Sequence, residues 1–210
     1  MYNLLVESSD KVEMLTENTE SGKQVFIEGI FAQSEIKNGN GRFYERSVME
    51  KAIDRYDRDY VSRRRALGEL NHPEYPFADP SQAAILIKEL EWQGNDVYGK
   101  ALVLNTPKGE IVKGLLEGGF NLGVSTRALG SLKERNGTKY VQDDLMFTAT
   151  DCVDNPSAPD AYVNAINESK QWMLTESGIW VQKEGQEPVH QFDEGIFLQK
   201  LEDYVKGLKK

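Results

Sequence analysis

The chain has 210 residues, 39% of them apolar and 28% charged, with 18 glycines and 7 prolines. That composition excludes collagen-like, low-complexity and wholly disordered classes and predicts one well-buried domain with appendages. Twenty-five Lys and Arg against 34 Asp and Glu give a formal charge of −9, a field that repels phosphate backbones, so no nucleic-acid partner is expected.

Apolar stretches such as residues 83–87 fall far short of the roughly 20 residues that cross a bilayer, so no membrane span is expected. Residues 1–20 show neither a basic start nor an apolar core of the kind that directs secretion. Cys152 is the single cysteine, and His72 and His190 are the two histidines. No internal disulfide and no Cys/His zinc site can be built from that inventory, and no cofactor is expected.

In chain order, residues 1–23 are polar and read as a flexible lead-in with one short strand over 4–6. Residues 24–32 have strand density, and Asn38-Gly39-Asn40-Gly41 follows as a flexible loop. Ser47 to Glu50 has the form of a capping box, and Met49, Ile53, Tyr56 and Tyr60 repeat at helical spacing behind it, which predicts a helix over 47–61. A short strand over 65–71 delivers His72, whose backbone Pro73 restricts to extended geometry.

Residues 83–92 and 97–104 read as a hairpin around Gly94-Asn95-Asp96. Thr106 and Pro107 open a helix that Gly118-Gly119 closes. Residues 122–132 and 138–150 read as a second hairpin around Asn136-Gly137. After Pro156 a short helical piece runs to about residue 166, residues 167–191 read as a linker, and 192–210 as an amphipathic terminal helix. Strands joined by tight turns outnumber helices, so the fold class is α+β: a mostly antiparallel barrel core flanked by helices. The expected divisions are 1–23, a domain over 24–166, a linker over 167–191, and the helix over 192–210.

Gly123-Val-Ser125 lacks the second glycine of a hydrolase elbow, because Arg127 stands there, so the segment reads as plain strand. Side chains two apart in a strand share a face at about 7 Å, which projects Ser125 and Arg127 together. A hydroxyl beside a guanidinium suits acyl transfer, with the serine attacking and positive charge stabilising the oxyanion. Removing the serine proton needs a group that titrates near neutrality, and His72 is the better placed histidine because His190 falls in the linker. An orienting acceptor comes from the strand end at Asp151, with Asp154 second. Taken singly, each residue has an ordinary reading: a surface hydroxyl, a hydrogen-bonded histidine, a solvated turn.

Taken together they carry a resemblance. Gly68-Glu-Leu-Asn-His72-Pro, Gly123-Val-Ser125-Thr-Arg-Ala-Leu-Gly-Ser-Leu132 and Asp151 followed by Asn155-Pro-Ser-Ala-Pro-Asp-Ala161 resemble the prohead maturation proteases of tailed phages, most closely the T-even type. Residues 27–33 and Asn40-Gly-Arg-Phe-Tyr44 match in the same order, so the resemblance covers residues 24–164. That family is similar to the herpesvirus capsid-assembly proteases. The resemblance implies a β-barrel with a strand-borne nucleophile, Ser125, an earlier histidine, His72, and a later third member; no second histidine follows Ser125 before the linker, so an acidic residue, Asp151 first, takes that role or the site works as a dyad. Arg127 is implied as an oxyanion, substrate-binding or structural residue.

The resemblance further implies a serine endopeptidase that cuts scaffold and capsid proteins after glutamate in Leu/Ile-X-Glu sequences, inside the assembling prohead in the host cytoplasm. Such triplets end at Glu7, Glu17, Glu168 and Glu176, all in segments read as flexible, so self-cleavage is expected there. A glutamate at the cut calls for a basic subsite, for which Arg127 or Lys100 is available. Self-association into a homo-oligomer is compatible with this reading. The alternative is a non-catalytic structural or scaffold protein of the capsid that keeps the fold. A nucleotide-dependent or metal enzyme lacks a phosphate-cradling loop and a ligand cluster.

Overall fold

In the computed structural model of the chain, the structure describes residues 2–9, 12–19, 22–153, 171–175 and 177–183. The strands, in chain order, are β1 (Tyr2–Ser9), β2 (Val12–Thr19), β3 (Gly22–Gln33), β4 (Arg42–Phe43), β5 (Leu67–Glu69), β6 (Ala83–Gln93), β7 (Asp96–Val103), β8 (Gly123–Gly130), β9 (Leu132–Arg135), β10 (Thr138–Val141), β11 (Met146–Val153), β12 (Gln171–Leu174) and β13 (Trp180–Lys183). Two α-helices join them, α1 (Arg46–Tyr56) and α2 (Pro107–Glu117). The fold is mixed and mostly β.

The described strands form three sheets with spatial orders β11-β8-β1-β12-β13, β2-β3-β7-β6-β5 and β4-β10-β9. Every pairing between these strands is antiparallel except β4 with β10. Register shifts at Ile30/Ala32, Ile87/Glu89 and Phe147/Ala149 bend the long strands. A single barrel was the expectation; among the described residues the sheets stay separate, and an isolated parallel bridge from Leu70 to Cys152 lays the end of β5 against β11.

Between the sheets lies a core that includes Leu5, Ile27, Phe31, Tyr56, Ile85, Ile87, Val97, Val124 and Phe147. Helix α1 adds its buried face, Val48, Met49, Ala52, Ile53 and Tyr56. A second cluster of Leu4, Val6 and Leu129 collects Phe77, Trp172 and Trp180 around it. Each such side chain contributes about 1.5–3 kcal/mol by leaving water.

The N-terminal lead-in is therefore more than a loose segment. β1 lies inside a sheet, with Leu5 in one cluster and Leu4 and Val6 in the other, and β2 pairs along β3. Three consecutive apolar residues were enough because both faces of β1 are covered. The stretch read as a linker supplies the β12–β13 hairpin, which adds to β1 and brings Trp172 and Trp180 onto it.

Helix α1 begins at Arg46 with Glu45 as its N-cap and no side-chain cap bond, so the capping box at Ser47 is not used. It ends in a π-helical turn, Asp57–Val61. Thr106 caps α2 as expected, accepting from the Gly109 N–H at 3.1 Å. The expected second hairpin divides differently: Asn136-Gly137 joins β9 to β10, while β8 pairs with β11. The Asn38–Gly41 loop is held by its own residues, with Asn38 Oδ1 accepting from the N–H groups of Asn40 (3.1 Å) and Arg42 (2.9 Å). The helices expected up to residue 166 and over 192–210, together with Asp154, Glu168, Glu176 and His190, lie outside the described residues.

Candidate active site

β8 is the scaffold of the site. All eight of its residues are buried, and strand alternation sends Ser125 and Arg127 to one face and Thr126 and Ala128 to the other. On one flank β11 sets Asp151 directly opposite Ser125. On the other flank β1 sets Ser8 opposite Ser125 and Glu7 opposite Thr126. Opposed residues of an antiparallel pair share a face with Cβ atoms about 5 Å apart, so the hydroxyl of Ser125 and the carboxylate of Asp151 are neighbours by register.

His72 reaches the same carboxylate from the loop after β5. The Asn71 N–H donates to Cys152 O at 2.7 Å, and Asn71 takes a φ of 64°, which asparagine tolerates, to turn His72 inward. His72 Nδ1 then lies 2.9 Å from Asp151 Oδ2, with side-chain exposures of 6% and 0%. Its Nε2 is buried and has no hydrogen-bond partner among the described residues. A carboxylate at Nδ1 favours the proton there and leaves Nε2 as the acceptor. The Ser125 hydroxyl donates to the main-chain carbonyl of Glu7 at 2.9 Å. His72 is thus paired with the buried Asp151 carboxylate, and Asp151 stands opposite Ser125 across the ladder.

Arg127 lies on the far side of that carboxylate. Its Nε is 2.6 Å from Asp151 Oδ2, and Nη2 donates to Asp151 Oδ1 at 2.9 Å and to Glu69 Oε1 at 3.3 Å. Nη1 donates to the carbonyls of Tyr75 (2.8 Å) and Phe77 (3.4 Å). Glu69 in turn accepts from the Tyr75 hydroxyl at 3.0 Å and the Asp79 N–H at 2.7 Å, which folds the loop after His72 over the pair. The Arg127 nitrogens face Asp151, Glu69 and the loop carbonyls.

Lys100, the other basic candidate, pairs with Glu17 and sits over the Phe26 ring, in a different sheet from β8. The sequence reading missed the residues around the Glu7 side chain. Glu7 Oε1 takes hydrogen bonds from Arg42 Nη1 (2.9 Å) and the Tyr44 hydroxyl (2.7 Å), and Oε2 from Asn38 Nδ2 (2.5 Å) and Asn40 Nδ2 (2.8 Å). The signal available was Asn40-Gly-Arg-Phe-Tyr44, a stretch of the resemblance to which no chemistry was attached.

Residues 5–171 match the family described as prohead core protein serine protease. The chain belongs to that family. The prohead core protein protease of Enterobacteria phage T4 is 44% identical over 143 residues, which are 66% of this chain and 68% of that protein. The structure of the bacteriophage T4 capsid assembly protease, gp21, overlays with a TM-score of 0.69 at 37% identity, covering 72% of this chain and 98% of that one. For a prohead core protease, the family match spans every residue placed around Asp151 and Glu7 above.

Proposed function

We propose that the protein is a serine endopeptidase of prohead maturation, which cuts scaffold and capsid proteins after glutamate in Leu/Ile-X-Glu sequences. The observation that carries this reading is the 2.9 Å pairing of His72 Nδ1 with Asp151 Oδ2, directly across the ladder from Ser125. Ser125 Oγ attacks the scissile carbonyl carbon while its proton passes to His72 Nε2; the C–N bond breaks, and that proton leaves with the new amine. Water, deprotonated by the same nitrogen, releases the acyl group and restores the hydroxyl. Asp151 orients the imidazole and balances its charge, and Arg127 positions Asp151. No cofactor takes part, and the reaction belongs inside the assembling prohead in the host cytoplasm.

Self-cleavage after Glu7 is part of the reading, because the Glu7 carbonyl already lies against the Ser125 hydroxyl. Cuts after Glu17, Glu168 and Glu176 follow from the same triplet rule. The test is hydrolysis of a Leu-X-Glu peptide, and mass spectrometry of the termini, for wild type, His72→Ala and Ser125→Ala. Turnover and shortened termini in the wild type, absent from both variants, support the proposal. Equal behaviour of all three proteins would return the chain to the non-catalytic capsid role.

A further inference from the structure

We infer that Asn38, Asn40, Arg42 and Tyr44 form the pocket that selects glutamate at the cut position, and that the Glu7 side chain occupies it. This rests on the peptide-cutting role proposed above and names the residues that would give it its specificity.

Strand alternation separates the two tasks. Ser125 and Asp151 share one face of the β8 ladder, whereas Glu7, opposite Thr126, sends its side chain to the other, where the 38–44 segment waits. Four side chains converge on the carboxylate, two on each oxygen. Arg42 Nη1 and Asn40 Nδ2 also donate to the Val6 carbonyl, at 3.2 and 3.1 Å, so the same groups fix the backbone one residue before the cut. The Glu7 carbonyl is thereby held at the Ser125 hydroxyl.

Part of the pocket is oriented by its own backbone. Backbone N–H groups of Asn40 and Arg42 occupy Asn38 Oδ1, which leaves only the donor end, Nδ2, for the ligand. Burial first, and then the charge of Glu7, raise the Tyr44 pKa well above the usual tyrosine value, so its hydroxyl stays a donor. Every group aimed at the ligand therefore donates. A carboxylate, which only accepts, satisfies all four; a glutamine amide turns an N–H₂ toward two donors and is rejected.

Two measurements on the full-length chain test this. First, kcat/KM of the full-length chain is compared for matched Leu-X-Glu and Leu-X-Gln peptides, with a fluorophosphonate label confirming a reactive Ser125. Wild type should favour glutamate by about 100-fold, and Tyr44→Phe and Asn40→Ala should each lower that ratio about tenfold. An unchanged ratio with labelling intact overturns the pocket, whereas no labelling and no cleavage of either peptide by wild type strikes the protease reading instead. Second, amide exchange in residues 3–7 is followed in Ser125→Ala, where no cut occurs. Adding Glu7→Gln should speed it about tenfold without affecting α1, and equal protection overturns the pocket whatever the activity assays give.

Discussion

Asp151 is among the heavily committed side chains of the described residues. It accepts from His72, from the Glu69 N–H at 2.8 Å and from Arg127, so its carboxylate can neither rotate nor move without breaking several bonds. Asp151→Asn should keep the fold but present an N–H₂ to some of these donors and lose control of the imidazole tautomer. Peptide turnover should fall about 10²- to 10⁴-fold, with an unchanged circular dichroism spectrum as the control. Arg127 works in the opposite balance. Arg127→Met would leave Glu69 and Asp151 buried without their counter-charge, and urea denaturation should report a loss of about 3–5 kcal/mol. A substitution that left stability unchanged would mean these carboxylates do not depend on the guanidinium.

At the scale of elements, the site depends on how closely β5 approaches β11. A Cβ on Gly68 would lie 1.8 Å from Thr150 O and 2.8 Å from Ile85 Cγ1, so only glycine lets the strand that precedes His72 lie against the strand that carries Asp151. Gly68→Ala should cost about 2 kcal/mol or more in urea denaturation, and lower peptide turnover further than the stability loss explains, because the two halves of the His72–Asp151 pair sit on the two moving parts. The motif around Gly68 was legible in the sequence, and so were the hairpin at Gly94, the cap at Thr106 and the strand through Ser125, since each follows from neighbours along the chain. Of β1 only the short strand over 4–6 was, and the β12–β13 hairpin was not: its apolar residues are too few to mark strands until Trp172 and Trp180 gather beside Leu4, Val6 and Phe77.

The whole molecule carries a pH dependence that follows from what it buries. Burial and the charge of Glu7 raise the Tyr44 pKa, burial and the charge of Asp151 raise that of Tyr56, and burial with a hydrogen bond to Glu69 pushes Tyr75 up to about 12. Burial raises the Cys152 thiol in the same direction. The folded state thus keeps protons that the unfolded chain gives up. Stability should be complete below about pH 8.5, begin to fall as the unfolded thiol ionises, and drop steeply above about pH 10 as the unfolded tyrosines follow. Urea midpoints across that range check the order; a midpoint that rises between about pH 9 and 11 would contradict it.

The sequence by itself determined the antiparallel character and the resemblance in register over residues 24–164, because these reside in residue type and short spacing. Only the tertiary structure sets the Arg127 guanidinium against Asp151 and Glu69, and Asn38, Asn40, Arg42 and Tyr44 around Glu7. The physical reason is range. Whether a charge faces solvent or a buried partner depends on segments 24 to 58 residues away for Arg127, and on sheet register for Glu7, neither of which local pattern encodes.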